Sequence, residues 1–158
     1  MLVVKCVVQD YTPSDEVLVI LEDFRMMVND CIRIGVRENL TSMKSLSLKA
    51  YHQLSQYEVA AYYRLTAISK AAGILRNYRK SLRKNSASKA PYVKKLALVD
   101  CYGFRLEGNK MRLTLRAREY TYIDLNAHTL EAIRHNTLRS VTLTPDNLSC
   151  RVAAIMAA

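Results

Sequence analysis

Ten basic residues, Arg64, Lys70, Arg76, Arg79, Lys80, Arg83, Lys84, Lys89, Lys94 and Lys95, lie between Glu58 and Asp100 with no carboxylate among them. The chemistry open to such a run is the binding of anions. Folded surfaces normally interleave both signs, because like charges held side by side destabilise the compact state. A segment that keeps a single sign implies a polyanion that relieves the repulsion. Nucleic acid is the commonest, since every phosphate neutralised by Lys or Arg releases a condensed counterion. Arg76, Arg79, Lys80, Arg83 and Lys84 recur at three- and four-residue steps, which on a helix gathers them near its end, with Tyr78 among them. The macrodipole favours cations there and accounts for some of them. It does not account for ten without an acid.

A second basic set alternates instead of stepping by turns. Around Gly108-Asn109, the flanks Phe104–Glu107 and Lys110–Arg116 read as two strands joined by a two-residue turn. Met111, Leu113 and Leu115 take one face. Lys110, Arg112, Thr114, Arg116, Arg118, Tyr120 and Tyr122 take the other, if the alternation persists so far, and Arg105 lies on the preceding strand. Positive charge interleaved with tyrosine suits phosphates and stacked bases. A solvated strand face is the plain alternative. Together with Arg64, Lys70, Lys94 and Lys95, the two sets make up the candidate nucleic-acid surface.

The inventory for acid–base or metal chemistry is short. His128 and His135 could share a helix face, but no third ligand stands at a useful spacing. His52 falls in an apolar helical pattern and reads as partly buried and structural. The glycines Gly35, Gly73, Gly103 and Gly108 stand alone, so there is no Gly-rich phosphate loop. Tyr62-Tyr63 lacks the His-hydrophobe-His signature of a transposase or relaxase tyrosine and reads as packing plus stacking surface. Asp100 and Asp124 sit on strand-like segments without the context of a ribonuclease-H-type metal site. The expectation is no catalytic residue, no metal and no cofactor.

These side chains need elements to position them. The chain has 158 residues, half of them hydrophobic, so its formal net charge of +10 sits on a folded body. The absence of Trp, with only Phe24 and Phe104, argues against a basic membrane-binding face, and no apolar run reaches the length of a span. Cys6, Cys31, Cys101 and Cys150 are too scattered for a disulfide framework or zinc ribbon. They read as reduced, mostly buried small hydrophobes in a cytoplasmic protein. The first ten residues lack the basic lead and cleavage site of a signal peptide.

Residues 2–9, rich in Val, predict a buried strand. Thr12-Pro13-Ser14-Asp15-Glu16 supplies a helix start, and Val17, Ile20, Leu21, Phe24, Val28, Cys31, Ile32 and Val36 carry a helix to about Glu38. Thr41-Ser42-Met43 opens a second helix with Leu46, Leu48, Ala50, Tyr51 and Leu54. A third runs from about Gln56 to Lys84 on a stripe of Tyr62, Leu65, Ile68, Ala72, Leu75 and Leu82. A polar linker follows over 85–91. Beyond Tyr92 the period falls to two. A short helix or turn over 126–135 then precedes strands over 139–144 and 148–152, which point Val141, Leu143, Leu148, Cys150 and Val152 inward.

The order of these segments resembles a known family. Its markers are Tyr11-Thr12-Pro13-Ser14-Asp15-Glu16 before a helix containing Phe24-Arg25-Met26-Met27-Val28-Asn29, and the basic helix Ala71-Ala72-Gly73-Ile74-Leu75-Arg76-Asn77-Tyr78-Arg79-Lys80. Tyr102-Gly103-Phe104-Arg105-Leu106-Glu107-Gly108-Asn109-Lys110 and Arg139-Ser140-Val141-Thr142-Leu143-Thr144 follow. This is similar to the N-terminal half of TnpB (OrfB) proteins, the transposon-encoded RNA-guided nucleases. The resemblance implies an α+β fold: a small antiparallel wedge-like β-barrel with a helical bundle inserted after its first strand. It places the wedge at 1–12 and 91–152, the recognition-like helices at 13–90 and a tail at 153–158. It implies contacts to guide RNA, RNA–DNA duplex or DNA backbone through Arg76, Arg79, Lys80, Arg105 and Lys110. The family's RuvC-like domain and zinc ribbon are missing here, which implies a module without cleavage of its own and a nuclease half that is separate or lost. The alternative, from another class, is an assembly factor whose basic helix docks an acidic protein.

Overall fold

The computed structural model describes residues 2–155. The chain divides into two compact units, one formed by Met1–Leu21 with Ala97–Ala158 and one by Glu22–Leu96. The sequence reading places these cuts at 12/13 and 90/91.

Among the described residues of the first unit, seven strands make two open antiparallel sheets. β1 (Leu2–Asp10), β7 (Asn147–Ile155), β6 (Thr137–Leu143) and β2 (Leu98–Asp100) form one in the order β1-β7-β6-β2, and β3 (Phe104–Glu107), β4 (Lys110–Arg116) and β5 (Glu119–Asp124) form the other. Helix α4 (Ala127–Arg134) packs on β1, β6 and β7. Asn126 caps it, accepting from the Thr129 amide at 2.8 Å. The fold is thus α+β, with helices and antiparallel sheets. The small barrel anticipated from the resemblance is not closed among the described residues, because β2 and β3 are not paired and each sheet keeps its own edges. Gln9 of β1 links to the end of β5: its buried amide donates to the Asp124 carbonyl at 2.8 Å and accepts from the Asn126 N–H at 3.0 Å.

The core of the four-stranded sheet is Val7, Leu98, Val141, Leu143, Leu148, Cys150 and Val152; that of the three-stranded sheet is Met111, Leu113, Leu115 and Ile123. Both faces follow the two-residue period. β1 does not behave as a buried strand. It pairs only with β7, so it is an edge, and alternation turns Leu2, Val4, Cys6 and Val8 away from the core, with Leu2, Val4 and Val8 exposed at 58%, 45% and 56%. Cys101 is exposed as well, so of the four cysteines expected to be mostly buried, Cys31 and Cys150 are buried and Cys6 and Cys101 are not. Of the tail expected over 153–158, residues 153–155 continue β7 and 156–158 lie outside the described residues.

The second unit is helical. α1 (Asp15–Glu38) begins within the first unit, which holds its residues up to Leu21, and starts on Ser14, whose Oγ accepts from the Val17 amide at 3.3 Å, with Asp15 and Glu16 in the first turn. α2 (Met43–Ala50) is capped by Ser42, and a 3-10 turn at Gln53–Gln56 leads to α3 (Ala61–Lys84). α3 begins later than its periodicity suggests. Its buried face is Tyr63, Ala67, Ile68, Ala71, Ala72 and Leu75, while Leu65 is 40% exposed. Tyr63, 1% exposed, is therefore core and not a stacking surface. Val36 and Leu48 are exposed, and so is His52, which has no buried structural role. Gly35 of α1 makes room for Leu75 of α3: a Cβ there would stand 2.2 Å from Leu75 Cδ1. The chain returns from α3 along α1, where buried Asn29 grips Val93 twice, donating to its carbonyl at 2.9 Å and accepting from its N–H at 2.8 Å.

Candidate nucleic-acid interface

The last turns of α3 and the turn after α1 build one basic notch. Asn39 ends α1 in the left-handed conformation (φ 54°), and the Leu40 N–H closes back on the Gly35 carbonyl at 2.9 Å. That geometry aims the Asn39 carbonyl and Oδ1 at one target. Arg79 Nη2 donates to both, at 3.0 and 2.9 Å. Arg76 Nη1 donates to the Thr41 carbonyl at 3.3 Å. Arg76, Arg79, Lys80 and Arg83, with Thr41, line a depression of 230 Å³. Lys84 is exposed in the same last turn but lies outside that lining.

None of these five cations forms an ion pair with a carboxylate among the described residues. Neutral carbonyls orient Arg76 and Arg79 without cancelling their charge. Beside the depression lies a second, 120 Å³ pocket with Leu40, Leu75, Tyr78 and Leu82 on its walls, and Thr41 and Arg79 border both.

The other expected residues of this unit stand elsewhere. Arg64 is half-buried with its guanidinium 5.8 Å from the Tyr51 ring centroid, and its Nε has no hydrogen-bond partner among the described residues. Lys70 lies 5.8 Å from the Phe24 ring centroid. Burial, then the charge of Lys95, hold its ammonium below the usual lysine range. Lys94 and Lys95 are exposed just beyond the Asn29–Val93 grip.

On the three-stranded sheet the expected excess of positive charge is largely cancelled. Arg105 stands opposite Arg112, Arg112 opposite Tyr122, and Lys110 opposite Asp124. Lys110 pairs with Asp124 at 3.4 Å, Arg112 with Glu107 at 3.1 Å and Arg116 with Glu119 at 3.2 Å. Arg112 also lies 4.4 Å from the Tyr120 ring centroid. Arg118 leaves the alternation: a register shift between Thr114 and Arg116 puts it in the turn before β5 with φ 62°. Only Arg105 and Arg118 of this set have no ion pair among the described residues. Among the described residues, several cations converge without an ion pair at the notch on α3 and not on the sheet face.

The groups with catalytic potential are occupied with structure or scattered. Asp100 is buried and its Oδ1 accepts from the Tyr102 and Gly103 amides at 3.0 and 2.7 Å. Asp124 is tied to Lys110. His128 and His135 border a 520 Å³ crevice with Lys5 and Glu131, yet no group of three His, Cys, Asp or Glu suited to a metal occurs among the described residues. Burial pushes the Cys31 thiol up to about 12 and that of Cys150 to about 11, which keeps both protonated and unreactive at neutral pH.

Asn39 and Thr41 had no part in the site expected from the sequence. An Asn just past a helical run is a signal for a left-handed C-terminal residue, but nothing local links it to an arginine forty residues on. No protein-family model matches the chain, and no curated protein matches it.

Proposed function

We propose that the chain is a non-catalytic nucleic-acid-binding module, similar to the front half of a TnpB-type RNA-guided nuclease. On this reading the two-sheet unit corresponds to the wedge and the helical unit to the recognition region. Its ligand is structured RNA, an RNA–DNA duplex or the DNA backbone, cleavage belongs to a separate nuclease half, and the protein works in the cytoplasm. The observation that carries the reading is the unmatched cluster of Arg76, Arg79, Lys80 and Arg83 around one depression. Four cations held together without a carboxylate repel one another, and a phosphate chain relieves that repulsion through counterion release. That no described helix is long and apolar enough to cross a membrane fits a partner other than a bilayer interior.

The test is binding of a labelled RNA hairpin by the wild type and by a variant with Ala at Arg76, Arg79, Lys80, Arg83 and Lys84. Loss of binding in a folded variant supports the reading. A variant that binds RNA like the wild type, or that loses an acidic protein partner and never bound RNA, replaces it with the assembly-factor reading.

A further inference from the structure

The 120 Å³ pocket beside the basic notch has a different chemistry from the notch itself. Leu40, Leu75, Leu82 and the half-buried Tyr78 line it, and the polar Asn39, Thr41 and Arg79 border it as well. It is far smaller than the roughly 300–1,000 Å³ of a site that takes a whole organic ligand. Its volume leaves room for only a small group. Arg79 stands on the rim shared with the depression, and the two acceptors of Asn39 hold its guanidinium there. A small, partly apolar recess bordered by Tyr78 therefore shares a fixed cation with a seat lined by three more.

We infer that the end of α3 takes a single unpaired nucleotide, its base in the Tyr78 pocket and its phosphate in the notch of Arg76, Arg79, Lys80 and Arg83. The inference rests on the nucleic-acid reading and narrows it. Bases inside a duplex are stacked on their neighbours and present only edges, so an apolar recess gains nothing from them. A base in a loop, bulge or single strand is splayed and can stack on an aromatic ring while its phosphate meets an arginine. Phosphates at the notch alone would be shared by duplex and single strand alike. The pocket is what separates them.

The experiment compares a single-stranded uridine decamer with a fully paired RNA duplex of equal length, by fluorescence anisotropy at matched salt. Wild type, Tyr78→Ala, Leu82→Phe, Tyr78→Phe and the five-cation variant are titrated. Leu82 is half-exposed, so the larger Phe fills the pocket without entering the core. The inference expects Tyr78→Ala and Leu82→Phe to weaken the decamer by roughly tenfold and the duplex by less than about twofold, with unchanged salt slopes. Tyr78→Phe keeps the ring and stays within about twofold of wild type.

If the five-cation variant loses both ligands while Tyr78→Ala and Leu82→Phe bind both normally, the nucleic-acid reading stands and the base pocket is overturned. If the wild type binds neither ligand, both fall together.

Discussion

Removing the α3 cluster changes the salt dependence of binding by an amount the structure fixes. Arg76, Arg79, Lys80 and Arg83 line the depression and carry no ion pair among the described residues, so each is free to neutralise one phosphate. Four contacts give a slope of log K against log salt of about −2.8 on a single strand and about −3.6 on a duplex. Between 50 and 200 mM salt that is a loss of about 50- to 150-fold in affinity. With Ala at these four positions and at Lys84, the slope should collapse towards zero. Ala is the best helix former, and the lost macrodipole interaction is worth only about 0.3–1 kcal/mol per cation, so the fold survives.

The comparison that isolates the argument is Lys110→Ala or Arg112→Ala. Both cations already face Asp124 or Glu107, must leave them to meet a phosphate, and should change the slope by well under one. The assay is anisotropy of a labelled RNA hairpin across a potassium chloride series, with circular dichroism on every variant. A folded α3 variant with the wild-type slope, or a sheet variant that lowers the slope as much as Lys80→Ala, refutes the reasoning.

The packing makes further predictions. Asn29→Ala should cost about 1–3 kcal/mol, since two hydrogen bonds to Val93 are lost, and trypsin should cut at Lys94 and Lys95 faster than in wild type. Gly35→Ala should destabilise by about 1–3 kcal/mol despite alanine's helix propensity, because its Cβ would meet Leu75 Cδ1 at 2.2 Å and the Leu40 carbonyl at 3.1 Å. A lowered urea midpoint with unchanged m-value would be the signature. Stability should also fall above about pH 8.5. The Cys31 and Cys150 thiols are raised in the folded state to about 12 and about 11, so the unfolded chain loses their protons first. Each contributes up to about 1.4 kcal/mol per pH unit until its folded pKa is reached. A Cys31→Ala, Cys150→Ala double variant should show a shallower decline in urea midpoint between pH 8 and 10, and parallel curves would show that the thiols are not the cause.

What the sequence made legible was local in origin. The Gly108-Asn109 hairpin needs only alternation and one residue at positive φ, here Gly108 at 59°, and both lie within a few positions. The α1 stripe was visible because it is built from large apolar residues. The face of α3 was harder to see, since Ala67, Ala71 and Ala72 are small and the visible Leu65 turned outward. Small residues mark close helix approach, as at Gly35, and a hydrophobicity count undervalues them.

Register and topology were the main losses. The carboxylates of Glu107, Glu119 and Asp124 neutralise basic partners on adjacent strands, and only the strand pairing brings them together. β1 has the composition of a central strand, but which edges of a strand are paired is a property of the whole sheet. The notch was half legible. The helical spacing of its cations was plain, while the carbonyls of Asn39 and Thr41 that aim two of them come from another helix–helix turn.

The most direct measurement is lysine footprinting of the intact protein with an amine-reactive acetylating reagent, with and without a saturating RNA hairpin, read by mass spectrometry. Strong protection of Lys80 and Lys84 by RNA, with Lys44 and Lys110 unchanged, is the predicted result. Equal labelling of Lys80 and Lys84 in both states, or protection confined to Lys110, would contradict the claim that a phosphate chain lies against the end of α3.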